Sequence, residues 1–499
     1  MQIIMEKTYN KIHKFILLLG ITLFPKQALG QVLNMRLDQC IEIAIRQSPE
    51  VLKHKHAFLS SYWLYKAYQA GLKPQAVLQT TPIEYSRTFI KRYDYTQNID
   101  IYRPQRYWAT SLGLSVSQSI PFTGGTLTLS SGLDYIRNIG TDNNEQYSTV
   151  PVSLGYSQSL FGYNPLKWSK KIEPLKYQIA RQKYIYAMES TILETVNRFF
   201  DLALLQEEHR MASETLHSCD SLYSAGKERY KMSAISKADL LALQVDLINA
   251  ENASVQIAHQ KEEALSSFLL FLQIDKPMDI ELEIPPLPKI SSISPQKAVS
   301  LMQTNNPNVL EAHMQVRESE QDLERIRKTT GVDASFSVGI GFNKAAGKFH
   351  EAYSHLPRQD YFSMSIKVPI LDWGAGKSKR NAAKSNLEQI RISVNQNIED
   401  LKEKVLQTTL RFNQNRILTD KAQKAFQMAL SSYQIYKSRF ILGKEDVSSV
   451  TLSLNRQQEA QRNYQQALSD YWTYYYTIRT LTLYDFEKEE NLSYTLPIY

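Results

Sequence analysis

Two hydrophobic periods alternate along this 499-residue chain. In the longer stretches apolar residues recur every three or four positions. Leu240, Leu243, Leu247, Ala250, Ser254 and Ile257 form one such line, and Leu387, Ile390, Val394, Ile398, Leu401 and Val405 another. This spacing predicts long helices packed along coiled-coil seams. Between them lie segments of period two: "SLGLSVSQSI" (111–120), "TLTLSSGLDYI" (126–136), "VPVSLGYSQSL" (150–160), "SFSVGIGF" (335–342) and "YFSMSIKVPI" (361–370). One face of each carries Leu, Val, Phe, Ile or Tyr, and the other mostly Ser, Gly or Thr. At about nine to eleven residues, each has the length of a tilted transmembrane β-strand.

The pattern occurs twice. "SPEVLKHKHAF" (48–58) resembles "NPNVLEAHMQV" (306–316), "QSLFGYNPLKWSKK" (158–171) parallels "VPILDWGAGKSKR" (368–380), and "RYKMSAISKADLL" (229–241) parallels "RFILGKEDVSSVT" (439–451). The first pair is offset by 258 residues and the other two by 210, so the first half holds 48 extra residues ahead of its strand-to-helix turn. They include "IPFTGGTLTLSSGLDYIRN", which predicts an added hairpin (about 110–137) turning at Thr123-Gly124-Gly125. The chain has to return to one side to start its helix, so strands are added in pairs: four in the first half, two in the second. The earliest strand, about Val77 to Tyr85, is weakly patterned and interrupted by Pro82. A helix from Pro165 to about Glu228, with a break expected near Pro174, would run about 95 Å. Helices of that length have to pack side by side as a tube or bundle.

The domain plan is therefore a first repeat over 31–274 with strands within about 76–161, a proline-rich linker over 275–295, a second repeat over 296–485 with strands at about 333–370, and a tail over 486–499. Residues 1–30 read as a signal peptide: Lys7, Lys11 and Lys14, the apolar run Phe15 to Phe24, then Ala28-Leu29-Gly30 before the cut. No Cys follows the cut, so an acylated-lipoprotein signal is not expected. Beyond this segment nothing offers the roughly 18–20 apolar residues of a membrane helix, so entry into a membrane would be as a barrel.

Charge and cysteine content add little further chemistry. Removing residues 1–30 lowers the formal charge from +8 to about +5, with both signs interspersed, and leaves no nucleic-acid footprint. Cys40 and Cys219 fall about 30 Å apart along the expected helices, against the roughly 7 Å a disulfide spans between α-carbons, so two free thiols are expected. His54 and His56 bracket Lys55 about 200° apart on a helix, unable to face one metal. No other residues have ligand spacing, and no catalytic set is evident, so no cofactor, metal or enzymatic activity is expected. Gly376-Lys377-Ser378 resembles the end of a phosphate loop, but the position that needs glycine is Leu371.

The export signal, the two helix–strand–strand–helix repeats and the turns in "RYKMSAISKADLL" and "RFILGKEDVSSVT" resemble the TolC family of outer-membrane efflux channels. The resemblance implies an α+β membrane protein: a homotrimer whose protomers each give four to six strands to one transmembrane β-barrel, continued by a periplasmic α-helical coiled-coil barrel. Three protomers would give twelve strands in the usual arrangement, or eighteen if the extra hairpin joins the wall, which is the expectation here. The resemblance further implies location in the outer membrane of a Gram-negative bacterium and docking on a periplasmic adaptor with an inner-membrane RND or ABC transporter. Export of drugs, metals or proteins would then be passive. Type I protein secretion and a pore-free secreted coiled-coil scaffold or adhesin remain as alternatives.

The resemblance also assigns residues. The turns holding Arg229, Tyr230, Met232, Ser233, Ala234, Ser236 and Asp239, and Arg439, Phe440, Gly443, Glu445, Asp446 and Ser449, would contact the adaptor and form the periplasmic gate. From spacing alone, Ser236 and Asp239 have the positions of a helix N-cap and its third residue, Asp446 can cap the next helix, and Gly443 permits positive φ. Where some members place two gate aspartates, this chain has Ser449 and Leu452, leaving Glu445 and Asp446 as the nearest acids. Gly162, Pro165, Pro369, Gly374 and Gly376 mark the strand-to-helix turns, followed by Lys167, Lys170, Lys171 and Lys377, Lys379, Arg380 at the periplasmic interface with lipid. Ser115, Ser117, Ser337 and Ser363 would line the bore. Trp108, Tyr135 and Tyr156 would contribute to interfacial belts, and "YWTYYY" (471–476) would be packing.

Overall fold

The computed structural model describes residues 33–140, 143–274, 279–287, 290 and 292–494. The expected signal peptide, 1–30, lies outside the described residues, as do parts of 275–295 and 486–499. In chain order the elements are β1 (Leu33–Arg36), α1 (Leu37–Gln47), α2 (Pro49–Gly71), β2 (Gln75–Asp94), β3 (Ile99–Ser119), β4 (Thr126–Asn138), β5 (Asn144–Ser159), α3 (Pro165–Lys231) and α4 (Lys237–Phe271). They continue with β6 (Ile280–Glu283), α5 (Pro295–Asn305), α6 (Pro307–Thr329), β7 (Asp333–Ala346), the single turn α7 (Phe349–Ala352), β8 (Arg358–Lys367), α8 (Ala375–Ile441), α9 (Val447–Thr482) and the short hairpin β9 (Tyr484–Asp485) and β10 (Glu490–Asn491). Among the described residues no helix is long and apolar enough to cross a membrane.

The chain divides into two compact units, each drawing on both sequence repeats. One contains the described residues to Val51, Met188–Ser292 and Arg411–Thr477. Its helices pack through Cys219, Leu222, Leu243, Tyr433, Phe440, Val450 and Leu454. The helices approach closely at Gly226, where a Cβ would stand 2.5 Å from Leu243 Cδ1. Further along, Phe412 contacts Tyr471 and Tyr475 with ring centroids 4.8 and 6.2 Å apart. Residues 33–36 and 280–283 form a parallel two-stranded pair, and Gln206 holds the second strand, its amide donating to Ile280 O and accepting from Leu282 N. That strand falls within a stretch whose prolines suggested only a linker. Four residues are too few to show a period.

Both cysteines belong to this unit, and both are buried and free. Burial, reinforced by the Asp38 carboxylate, pushes the Cys40 thiol up to about 12; burial and Asp246 push Cys219 up to about 11. Alkylation at neutral pH needs the thiolate. Iodoacetamide is therefore expected to leave both unmodified in the native protein and to modify both after denaturation; mass spectrometry reads the outcome.

The other unit holds Leu52–Ala187, Ile293–Leu410 and the described residues from Ile478. Six of its strands form one antiparallel sheet in the order β2-β3-β4-β5-β7-β8. The added hairpin is therefore built into the wall of the sheet. It turns where expected, with Ile120 N donating to Gly125 O, Gly124 N donating to Ile120 O, and Gly124 at φ +79°. Beside the sheet, Leu323, Ala383 and Leu387 form a helical core, Phe58 packs on Tyr184, and Tyr65 stacks on Tyr177. Asn306, fully buried, caps α6 through Asn308 N and donates to Leu481 O.

Three expectations are corrected. The first strand does not stop near Tyr85: β2 runs for 20 residues, and Pro82 lies in a register shift between Thr81 and Glu84. Proline lacks an N–H, so the ladder skips that position and resumes. Similarly, β3 has 21 residues, of which the period-two segment is only the second half. Residues 99–109 mix apolar, aromatic and charged side chains on both faces, so hydrophobic alternation is missing there. Finally, α3 continues through Pro174 without a break.

Candidate functional site

Sheet register sorts the strand residues into two faces of opposite chemistry. On one face the cross-strand rows are Ser115–Ser130–Ser153–Gly341, Ser117–Thr128–Gly155–Gly339–Tyr361 and Ser119–Thr126–Ser157–Ser337–Ser363. All four serines expected to line a bore share this face. Tyr361 lies flat across it, and a Cβ added at Gly339 would come within 2.2 Å of the Tyr361 ring. The glycines thus keep the ring against the sheet, a contact that alternation alone does not reveal.

The opposite face is apolar, with rows Val116–Leu129–Leu154–Ile340 and Leu127–Tyr156–Val338–Phe362. Its side chains are largely exposed: Leu129 44%, Ile340 45%, Phe362 70%. Aromatic pairs mark its two ends. Tyr85 with Trp108 and Tyr135 with Tyr147 stand toward the end away from the helices, with ring centroids 5.2 and 5.0 Å apart, and Tyr156 with Phe336 near the helix end. The edge strands β2 and β8 each pair on one side only among the described residues.

The strand-to-helix turns are built around side chains that cap the helices. At the first, Asn164 accepts from Lys167 N and donates to Pro121 O, Gly162 N donates to Ser159 Oγ, and Pro165 takes the first helical position. At the second, the Asp372 carboxylate accepts from Gly374 N (2.9 Å) and Gly376 N (2.8 Å), with Gly374 at φ +85°. These N–H bonds hold the Asp372 carboxyl below the usual carboxylate range. The stabilisation is complete above the ordinary Asp value of about 4 and fades as pH falls below it. A phosphate loop would use these same N–H groups, and here a carboxylate already occupies them. Neither Asp372 nor Asn164 stands out in the sequence, where glycines and prolines alone mark these two turns. Arg380 leaves the basic cluster to donate to Thr330 Oγ1. Pro369 follows β8 and ends its ladder.

The two helix tips obey one plan. In the first, Ala234 N donates to Arg229 O and Ser233 N to Tyr230 O; in the second, Lys444 N donates to Arg439 O and Gly443 N to Phe440 O. Each turn needs a left-handed residue, Ser233 at φ +57° and Gly443 at φ +75°. The caps are chemically reversed. Ser236 Oγ accepts from Asp239 N while Asp239 accepts from Ser236 N, whereas Asp446 accepts from Ser449 N and Ser449 Oγ. Ser236→Asp239 bonding lowers the Asp239 pKa. Met232 is exposed at the turn.

Arg229 ties the tips together. Its Nη1 donates to Glu445 O (3.0 Å) and Phe440 O (3.4 Å), and its guanidinium lies 4.7 Å from the Phe440 ring centroid. Glu445 is mostly buried and paired with Arg439 at 3.2 Å, and Asp446 is committed to its cap. The two nearest acids are therefore occupied by local contacts. Because Ser233 has a Cβ where its counterpart is glycine, Ser233→Gly is expected to raise stability by about 1 kcal/mol, seen as a higher melting temperature.

The remaining candidates are packing. Tyr471, Trp472 and Tyr475 of "YWTYYY" are buried. Among the described residues no group of three or more His, Cys, Asp or Glu converges as for a metal.

No family profile matches this sequence, and no curated protein matches it. Solved structures do. The Campylobacter jejuni CmeC outer membrane channel aligns with a TM-score of 0.62 at 13% identity, over 89% of this chain and 85% of that one. The Vibrio cholerae outer membrane protein VceC aligns at 0.55 and 12%, over 90% and 95%. The open state of the Neisseria gonorrhoeae MtrE outer membrane channel aligns at 0.55 and 12%, over 90% and 89%. At such identities the likeness is one of fold. The chain has the fold of the TolC family of outer-membrane channel proteins.

Proposed function

We propose that the protein is the outer-membrane channel of a tripartite efflux pump, conducting substrates passively to the exterior. The observation that carries this reading is the six-stranded sheet with one apolar face, one Ser/Gly/Thr face and two unpaired edges. An open edge leaves backbone N–H and C=O groups without partners, which is intolerable in lipid. Six strands cannot enclose an aqueous bore, so β8 of one copy pairs with β2 of the next. Three copies give eighteen strands, the apolar rows facing lipid and the serine rows facing water. Long helices also leave apolar stripes exposed in the single chain, including Leu241, Val245, Ile248 and Val255 on α4. Neighbouring copies would cover these.

The helical part would stand in the periplasm of a Gram-negative cell, with the tips around Met232–Ser236 and Gly443–Ser449 as the docking and gating end for a periplasmic adaptor and an RND or ABC transporter. Energy comes from that transporter, and this chain performs no chemistry. A pore-free adhesin would leave the two-faced sheet without a role.

The test combines fractionation with conductance. The full-length protein should appear in outer-membrane fractions as a trimer whose gel mobility changes on heating, and should conduct ions in planar bilayers. A soluble monomer without conductance would overturn the reading.

A further inference from the structure

On three adjacent strands an arginine stands two positions beyond an aromatic residue on the apolar face, always toward the end away from the helices: Tyr85 then Arg87 on β2, Trp108 then Arg106 on β3, Tyr135 then Arg137 on β4. The aromatics form the belt just described. The arginines stand directly beyond it, where the polar headgroups of the outer leaflet would begin.

Register places Arg87 opposite Arg106, while Trp108 lies opposite both Tyr85 and Arg137. Directly opposed residues have side-chain origins only about 4.5–5.5 Å apart, and like charges there repel. Two other basic residues on the same ribbon are neutralised: Lys91 pairs with Asp100 at 2.7 Å and Arg103 with Asp94 at 2.8 Å. Among the described residues Arg87 and Arg106 have no carboxylate in ion-pair range. Arg137 meets Glu145 at 3.5 Å, leaving most of its donors unused. Arginine does not lose its proton at any physiological pH, so the repulsion cannot be relieved by titration. An anion between the two guanidiniums would relieve it, and phosphate matches their paired N–H geometry.

We propose that Arg87 and Arg106, assisted by Arg137, bind a phosphate group of a phosphorylated glycolipid in the outer leaflet. The lipid is favoured over a free ion because its acyl chains would lie against the apolar rows below while Tyr85, Trp108 and Tyr135 border its sugar. The proposal rests on the outer-membrane reading.

The test uses the full-length trimer in detergent, incubated with bis-phosphorylated lipid A or with the same lipid stripped of phosphate, and native mass spectrometry to count retained lipid. The wild-type protein should retain the phosphorylated form at least about tenfold better. Arg87→Gln/Arg106→Gln should lose that preference, and Arg92→Gln, farther out on the ribbon, should keep it. Equal retention of both lipids by wild type overturns the proposal, and this arm depends on no variant. Retention unchanged in the double variant also overturns it, as does full displacement of the lipid by millimolar inorganic phosphate. Trimer mobility and conductance measured on the same samples separate the two readings: conducting trimers without lipid preference refute only the lipid site.

Discussion

Leu129→Arg is expected to destabilise the assembled protein by about 2–4 kcal/mol, the cost of a guanidinium on the lipid side of a barrel wall near mid-bilayer. Ser130→Arg, one residue on, should assemble normally. The difference arises from strand geometry, since successive side chains point to opposite faces. Leu129 lies in the row Val116–Leu129–Leu154–Ile340 and Ser130 in the row Ser115–Ser130–Ser153–Gly341. Melting of the purified trimer should fall for the first variant only. Single-channel cation conductance should fall for the second, because a fixed positive charge would then face the proposed water-filled bore. Equal destabilisation by both would mean that the two faces have been assigned wrongly.

The second large effect is expected at the helix tips. Phe440 is fully buried in a cluster with Cys219, Leu243 and Tyr433, and carries the Arg229 guanidinium over its ring. Phe440→Ala removes that packing and should cost about 3–5 kcal/mol. Arg229→Ala should cost less but loosen the same turn, because Phe440 O and Glu445 O lose a charged donor. Denaturant unfolding gives the magnitudes. If these turns form a gate, both variants should also raise single-channel conductance. The expected loss of stability with unchanged conductance would separate packing from gating.

The parts of the fold legible in the sequence were those governed by one dominant period. The helices around Leu243 and Leu387 and the strands around Leu114, Leu129, Leu154 and Ile340 follow apolar spacing, and the repeat offsets located the added hairpin. Residues 86–110 were not legible, because Arg87, Phe89, Lys91, Arg103 and Trp108 interrupt hydrophobic alternation while the backbone ladder continues. Pro174 suggested a break that helix packing overrides. At the tips, positive φ at Gly443 follows from residue type, whereas the same conformation at Ser233 follows only from the repeat. The interlock through Arg229 joins residues more than 200 positions apart, and its acceptors are backbone oxygens without any sequence signature. Asp372 carries no such signal: its carboxylate takes the Gly374 and Gly376 N–H groups, beside a Gly376-Lys377-Ser378 run that Leu371 already rules out as a phosphate loop.

The most direct test of the account is the strand count of the assembled protein, read from an image reconstruction of the full-length trimer in a lipid nanodisc. Eighteen strands are expected, six from each copy, with β8 of one copy hydrogen-bonded to β2 of the next. A closed barrel taking only two membrane strands from residues 70–161 of each copy would contradict it.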